Sequence, residues 1–212
     1  MNDSRQQQLR RAADHLAKND PVMAALVAAH GLCTITPHTD YYRSLVESII
    51  GQQLSVKAAA AIKQRFRNLF GGNFPEPAAI LAIDAEMYRS VGLSYAKARY
   101  IVDLAEHVLD GRIVFDRIDA QSNDEIMQAL TAIKGIGEWT VHMFLMFCVG
   151  RLDVLPIGDL GVRNAIRNQY RQALSPTPVA VSALAAKNSW HPYESVASWY
   201  LWESYDTVPF VP

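Results

Sequence analysis

Apolar residues recur at three- and four-residue spacing along nearly the whole chain, and no stretch sustains strand alternation. The pattern predicts an amphipathic helix over 5–18 and another over 41–53, "YYRSLVESIIGQQ", with Leu45, Ile49 and Gln52/Gln53 on adjacent turns. Ser55 is placed to cap the next helix, which runs to about Phe70, where "GGNFPEP" ends it. Asp84 caps a short helix, and Ser94 opens a longer one to about Leu109. The predicted apolar face of that helix is Tyr95, Ala98, Ile101, Val102, Ala105, Val108 and Leu109. Ser122 or Asn123 opens a helix that runs into a pair of glycines, and residues 138–149 form an almost wholly apolar one, predicted to be central. Helices at 159–170 and 177–187 follow, with "SPTP" between them, and His191-Pro192 starts the last, to about Tyr205. The expectation is an all-α, compact multi-helix fold, a single domain over 1–212, with two helical lobes around a cleft.

Composition narrows the function without choosing it. Half of the 212 residues are hydrophobic, which excludes a disordered chain. No apolar run reaches membrane-spanning length, and the polar N-terminal stretch lacks the apolar centre of a signal peptide. A cytoplasmic protein with no membrane partner is expected, in a bacterium at the nucleoid. Cys33 and Cys148 stand far apart in apolar company, which excludes a cysteine-ligated zinc or iron–sulfur framework and suggests buried thiols. No metal site is expected. Net charge is −1 and the pI is near 6.6. A nucleic-acid binder is usually more basic, so any such binding must rely on local potential and on backbone amides.

The stretch "KGIGEWTVHMF", Lys134–Phe144, is where the pattern departs from ordinary helix packing. Gly135 and Gly137 would each cost a helix about 1 kcal/mol relative to alanine. They suit a tight turn between two helices, with Ile136 pinning it to the core and amides of the second helix pointing outward at an anion. A nucleic-acid phosphate fits that turn. An ordinary helical hairpin with a glycine cap fits the same local pattern.

Other segments bear on that choice. "IKGIGEWTVHMF" resembles the helix–hairpin–helix, here about 122–149, of a DNA glycosylase superfamily, and "LDVLPIGDLGVRNAI" resembles the segment carrying that superfamily's catalytic aspartate. "SLVESIIGQQLSVKAAAAI" resembles the Gly-Gln-rich segment of its 3-methyladenine DNA glycosylase II branch, and "GLSYAKARYIVDLA" and "HPYESVASWYLW" extend the likeness across about Tyr41–Trp202. Larger bacterial members carry an N-terminal β-rich lobe for which this chain has no room, so it resembles the minimal helical core.

The resemblance implies a monofunctional enzyme that flips alkylated purines from duplex DNA and hydrolyses the N-glycosidic bond. Asp159 would be the catalytic aspartate, acting as a carboxylate, though an N-cap role fits it too, worth roughly 1 kcal/mol. The helix N-terminus favours its carboxylate form. Bifunctional members hold a Schiff-base lysine two residues after the second hairpin glycine; Trp139 stands there. Trp139, Met143 and Trp190 are expected around the substrate pocket, with core packing the competing role for Trp139. Gln52, Gln53, Leu54, Gly135, Gly137 and Thr140 are expected on DNA. The wedge that fills the hole left by the flipped base falls on Gln53 with Leu54 beside it; the competing reading makes Leu54 core. Branch members usually carry arginine where Glu194 stands. Damaged double-stranded DNA is the expected partner of a monomer that needs no cofactor; a monovalent cation at the hairpin stays open. The alternatives are a non-catalytic DNA-binding module and an oxidised-base glycosylase with lyase activity.

Overall fold

The structure, a computed structural model, describes residues 4–205. Among them are α-helices α1 (Arg5–Asn19), α2 (Pro21–His30), α3 (Tyr41–Gly51), α4 (Val56–Leu69), α5 (Pro77–Leu81), α6 (Ala85–Ser90) and α7 (Tyr95–Leu109). A 3₁₀ segment at Phe115–Ala120 precedes α8 (Asn123–Thr131) and α9 (Glu138–Phe144); a π turn at Leu145–Val149 precedes α10 (Leu160–Gln169), α11 (Pro178–Lys187) and α12 (Glu194–Glu203). No strand occurs among the described residues, so the all-α expectation holds.

Most helix starts follow from local side-chain chemistry. Ser55, Asp84, Ser94, Ser122, Asp159 and Thr177 each accept a backbone N–H in the first turn of the helix that follows. Ser122 adds the reciprocal bond from its own backbone N–H to Glu125, 2.7 Å, which settles the cap on Ser122 rather than Asn123. Two boundaries move inward. Helix α3 stops at Gly51, before the glutamines, and α12 begins at Glu194 rather than at His191-Pro192. The sequence pattern also misses α2, "PVMAALVAAH", whose uniformly apolar residues show no period. Its signal is the start: Asp20 caps it and Pro21 occupies the first helical position.

The described residues fall into two compact units, 4–38 with 145–205 and 39–144. In the first, α12 is the core element, with Val196, Ala197, Tyr200, Leu201 and Trp202 fully buried, and α1, α2 and α10 pack on it. Asp20 fastens this unit from inside. Its Oδ1 caps α2, and its Oδ2 accepts the Trp190 indole N–H at 2.9 Å and the Tyr170 hydroxyl.

The second unit is built on α3 and α7, with α4, α5, α6 and α9 against them. Leu45, Val46, Ile49 and Ile50 of α3 and Ile101, Leu104 and Ala105 of α7 form its interior. The face of α7 is turned from the predicted one: Tyr95 and Leu109 are half exposed, while Asp103 and His107 are buried. Asp103 explains the rotation. Its Oδ2 accepts the Lys134 backbone N–H at 2.8 Å and its Oδ1 faces the Lys134 ammonium at 3.2 Å. Burial alone would raise this carboxyl's pKa; the Lys134 hydrogen bonds and charge outweigh burial and hold it below its ordinary value. Both cysteines are buried, and burial pushes the Cys33 thiol up to about 12.

Candidate DNA-binding and catalytic residues

In the second unit α8 and α9 form a hairpin around Gly135-Ile136-Gly137. Ile136 is buried and pins the turn, as its position suggests. The two glycines serve different ends. Gly135 has φ +82°, and a Cβ there would lie 2.1 Å from Cδ2 of Tyr100, so the turn and its packing on α7 both demand glycine. Gly137 has an ordinary φ and nothing within 4 Å of where its Cβ would point. Room for an approaching ligand is therefore the reason for Gly137 alone, which corrects the expectation that both glycines clear a path. Thr140, in the first turn of α9, is 8% exposed.

Beyond α3 the chain turns sharply. Gln53 sits in the left-handed region at φ +57°, which costs a non-glycine residue about 1 kcal/mol and persists only where neighbours hold it. Gln53 is exposed and Leu54 is 38% exposed, so Leu54 is not a core residue. Gln52 differs from its neighbours. Its side-chain N–H donates to the Gly135 carbonyl at 2.7 Å, which ties the end of α3 to the hairpin. A cavity of about 230 Å³ is lined by Gln52, Gln53, Leu54, Trp139 and the buried pair Glu47–Lys63, whose charged atoms are 3.3 Å apart. Trp139 is 46% exposed, so core packing does not account for it. Met143 is buried and turns no open face to a ligand, contrary to expectation. A larger hollow, about 780 Å³ beside Tyr95, Arg99 and Lys134, includes none of the residues expected at the site.

Asp159 lies in the first unit, 8% exposed, at the N-cap of α10. Its Oδ1 accepts the Val162 backbone N–H at 2.8 Å and the Trp202 indole N–H at 2.9 Å. A Cβ on Gly161 would come within 3.0 Å of both Asp159 Oδ1 and Trp202 Cδ1, so glycine keeps this pair together. Helix α12 sets the approach to it at two points. Ser195 near its start bonds Val154 and Leu152, fixing the extended segment before Asp159, and Trp202 near its end reaches the carboxylate. Trp190 is fully buried with its N–H spent on Asp20, so it faces no pocket, contrary to expectation; Trp202 is equally buried, and its indole N–H reaches Asp159 from within the core. Glu194 pairs with His191 at 3.1 Å. Among the described residues no group of three or more His, Cys, Asp or Glu is gathered where it could hold a metal, and no helix is long and apolar enough to cross a membrane.

The family model for the HhH-GPD superfamily of base excision DNA repair proteins matches residues 46–189, the span from α3 to the loop before α12. The chain belongs to this superfamily. Within it the chain falls in the 3-methyladenine glycosylase branch. It is 32% identical to the alkylbase DNA glycosidase-like protein mag2 of Schizosaccharomyces pombe over 205 residues, 94% of this chain and 95% of that one. It is also similar to a crystal structure of a DNA-3-methyladenine glycosidase from Bacillus halodurans, at 35% identity and TM-score 0.84, over 92% of this chain and 89% of the other. The S. pombe 3-methyladenine DNA glycosylase Mag1, solved in complex with abasic DNA, matches at 33% identity and TM-score 0.79 over 95% of this chain and 100% of its own. In this HhH-GPD member the hairpin, the Gln53 turn and Asp159 all fall inside the matched span.

Proposed function

We propose that the chain is a monofunctional alkylbase DNA glycosylase. It flips an alkylated purine of the 3-methyladenine type out of duplex DNA and hydrolyses its N-glycosidic bond, leaving an abasic site for base excision repair. The observation that carries the reading is Asp159, buried, with one oxygen fixed by the Val162 and Trp202 N–H groups. As the bond from C1′ to the base stretches, positive charge builds on the deoxyribose. A carboxylate held in a partly dry site stabilises that charge without reorganising and orients a water for attack at C1′. An alkylated purine is already cationic and leaves readily, so no strong acid is needed at the base.

The remaining residues take roles consistent with this chemistry. Trp139 offers an exposed indole to an electron-poor base. Gln53 and Leu54 fill the space the base vacates. Gly137 gives a backbone phosphate close access to the hairpin. No organic cofactor is required for this chemistry; hairpin backbone carbonyls would be the groups to hold a monovalent cation, which would supply positive charge toward a phosphate. The protein acts as a monomer where DNA is, the cytoplasm of a bacterial cell.

Trp202→Phe keeps an aromatic ring in the core but removes the N–H on Asp159. Hydrogen bonds to charged groups are worth about 1.5–3 kcal/mol. Excision is expected to fall roughly tenfold or more, with affinity for an abasic-analogue duplex unchanged; equal loss of binding and catalysis would mean the indole only packs.

The monofunctional assignment is tested on alkylated duplex treated with the protein. Strand breaks should appear only after hot alkali, and borohydride added during turnover should trap no adduct. Schiff-base chemistry needs an amine at C1′; Trp139 stands in the lysine position, and the Lys134 ammonium pairs with Asp103 at 3.2 Å. A strong adduct lost in Lys134→Ala would overturn the assignment.

A further inference from the structure

We propose that Lys97 is a positioning residue that locks the DNA-inserting turn to the hairpin, so that the wedge and the phosphate contact move as one body. The inference rests on the glycosylase reading for its consequences, but its geometry stands apart from Asp159. The Lys97 ammonium, on the first turn of α7, donates to the Ile50 carbonyl at 2.8 Å and the Gln52 carbonyl at 2.6 Å. These carbonyls lie at the C-terminal end of α3, where a cation is favoured and where the chain leaves the helix for the left-handed residue Gln53. Gln52 then passes the constraint on, donating from its side chain to the Gly135 carbonyl at 2.7 Å.

The same helix holds the hairpin from behind. The Tyr100 ring occupies the space beside Gly135, and Asp103 accepts the Lys134 N–H. Lys97, Tyr100 and Asp103 follow one another at three-residue spacing along α7, so one helix sets the register of both DNA-contacting turns. A wedge is useful only if it enters the duplex at a fixed offset from the phosphate anchor. A strained residue on an exposed turn keeps that offset only when something other than the turn enforces it. Lys97 supplies this from inside the unit, without reaching DNA.

The test uses the full chain as wild type, Lys97→Met and Gln52→Met, each first checked by circular dichroism and melting. Insertion is read from 2-aminopurine fluorescence beside a tetrahydrofuran abasic analogue, which needs no catalysis. Affinity for undamaged duplex is read in parallel. Excision of an alkylated purine is compared when it faces a pyrimidine and when it faces an abasic analogue, where flipping is easy. Lys97→Met should lose most of the insertion signal and excise the paired lesion on the order of tenfold to a hundredfold more slowly. The unpaired lesion should be spared most of that loss, and undamaged-duplex affinity should hold. If Lys97→Met does not fold, Gln52→Met cuts the same link from the other side and should give the same selective loss. Full insertion by folded variants, or equal loss on paired and unpaired lesions, overturns the positioning role. A wild type that inserts but releases no alkylated base would sink the glycosylase reading and leave the lock standing.

Discussion

Asp159→Asn is expected to fold normally and keep most of its DNA affinity while excision drops on the order of a hundredfold or more. Asparagine retains a side-chain oxygen, so it can still accept the Val162 N–H that starts α10 and the Trp202 N–H now at 2.9 Å. What it lacks is the negative charge opposite C1′ as the glycosidic bond breaks. Geometry and charge are thereby separated in one substitution. Single-turnover excision under saturating enzyme measures the chemical step, and binding to an abasic-analogue duplex measures the rest. Excision near the wild-type rate would leave Asp159 with only its capping role.

The hairpin glycines are expected to respond in opposite ways. Gly135→Ala places a Cβ 2.1 Å from the Tyr100 ring on a residue at φ +82°. Overpacking and the left-handed conformation together should cost roughly 2–5 kcal/mol of stability. In a Tyr100→Ala background the overpacking is relieved and only the conformational part, about 1–2 kcal/mol, should remain; denaturant melts of the four proteins of this cycle decide it. Gly137→Glu, by contrast, points into open space and should leave the melt unchanged. It puts a bulky anion where a phosphate must approach, so affinity for damaged and undamaged duplex should fall together. The salt dependence of wild-type binding should be shallow for a DNA enzyme, since a chain of net charge −1 displaces few counterions. Unchanged affinity in folded Gly137→Glu would reduce the hairpin to a structural turn.

These contrasts show how far local sequence reaches. Helix starts were legible because a cap is a contact between residues three apart, as with Ser94 and Lys97 N–H or Asp159 and Val162 N–H. The hairpin was legible for the same reason, its two glycines and Ile136 lying within three positions. Contacts across the chain were not. Nothing near Trp190 or Trp202 in sequence tells that the first donates to Asp20, 170 positions away, and the second to Asp159, 43 positions away. Trp190 is turned away from the site for that reason, and the link from buried Trp202 to Asp159 has no local signal. The buried face of α7 was misjudged by the same kind of omission: an apolar stripe says nothing of Asp103, which enters the interior because Lys134 N–H meets it there. Nothing beside Gln52 in sequence tells that its amide meets the Gly135 carbonyl, which only the fold brings to it. The site's aspartate was placed by resemblance to a family, since an aspartate before a helix is locally just a cap.

The most direct measurement is release of free bases from methylated duplex DNA, separated by chromatography, with wild type and Asp159→Asn run side by side. Wild type should release alkylated purines, with 3-methyladenine among them, leave unmodified bases in place and generate one abasic site per base released, and Asp159→Asn should release almost none. Binding of the same duplex by wild type with no base set free, or equal release by the two proteins, would contradict it.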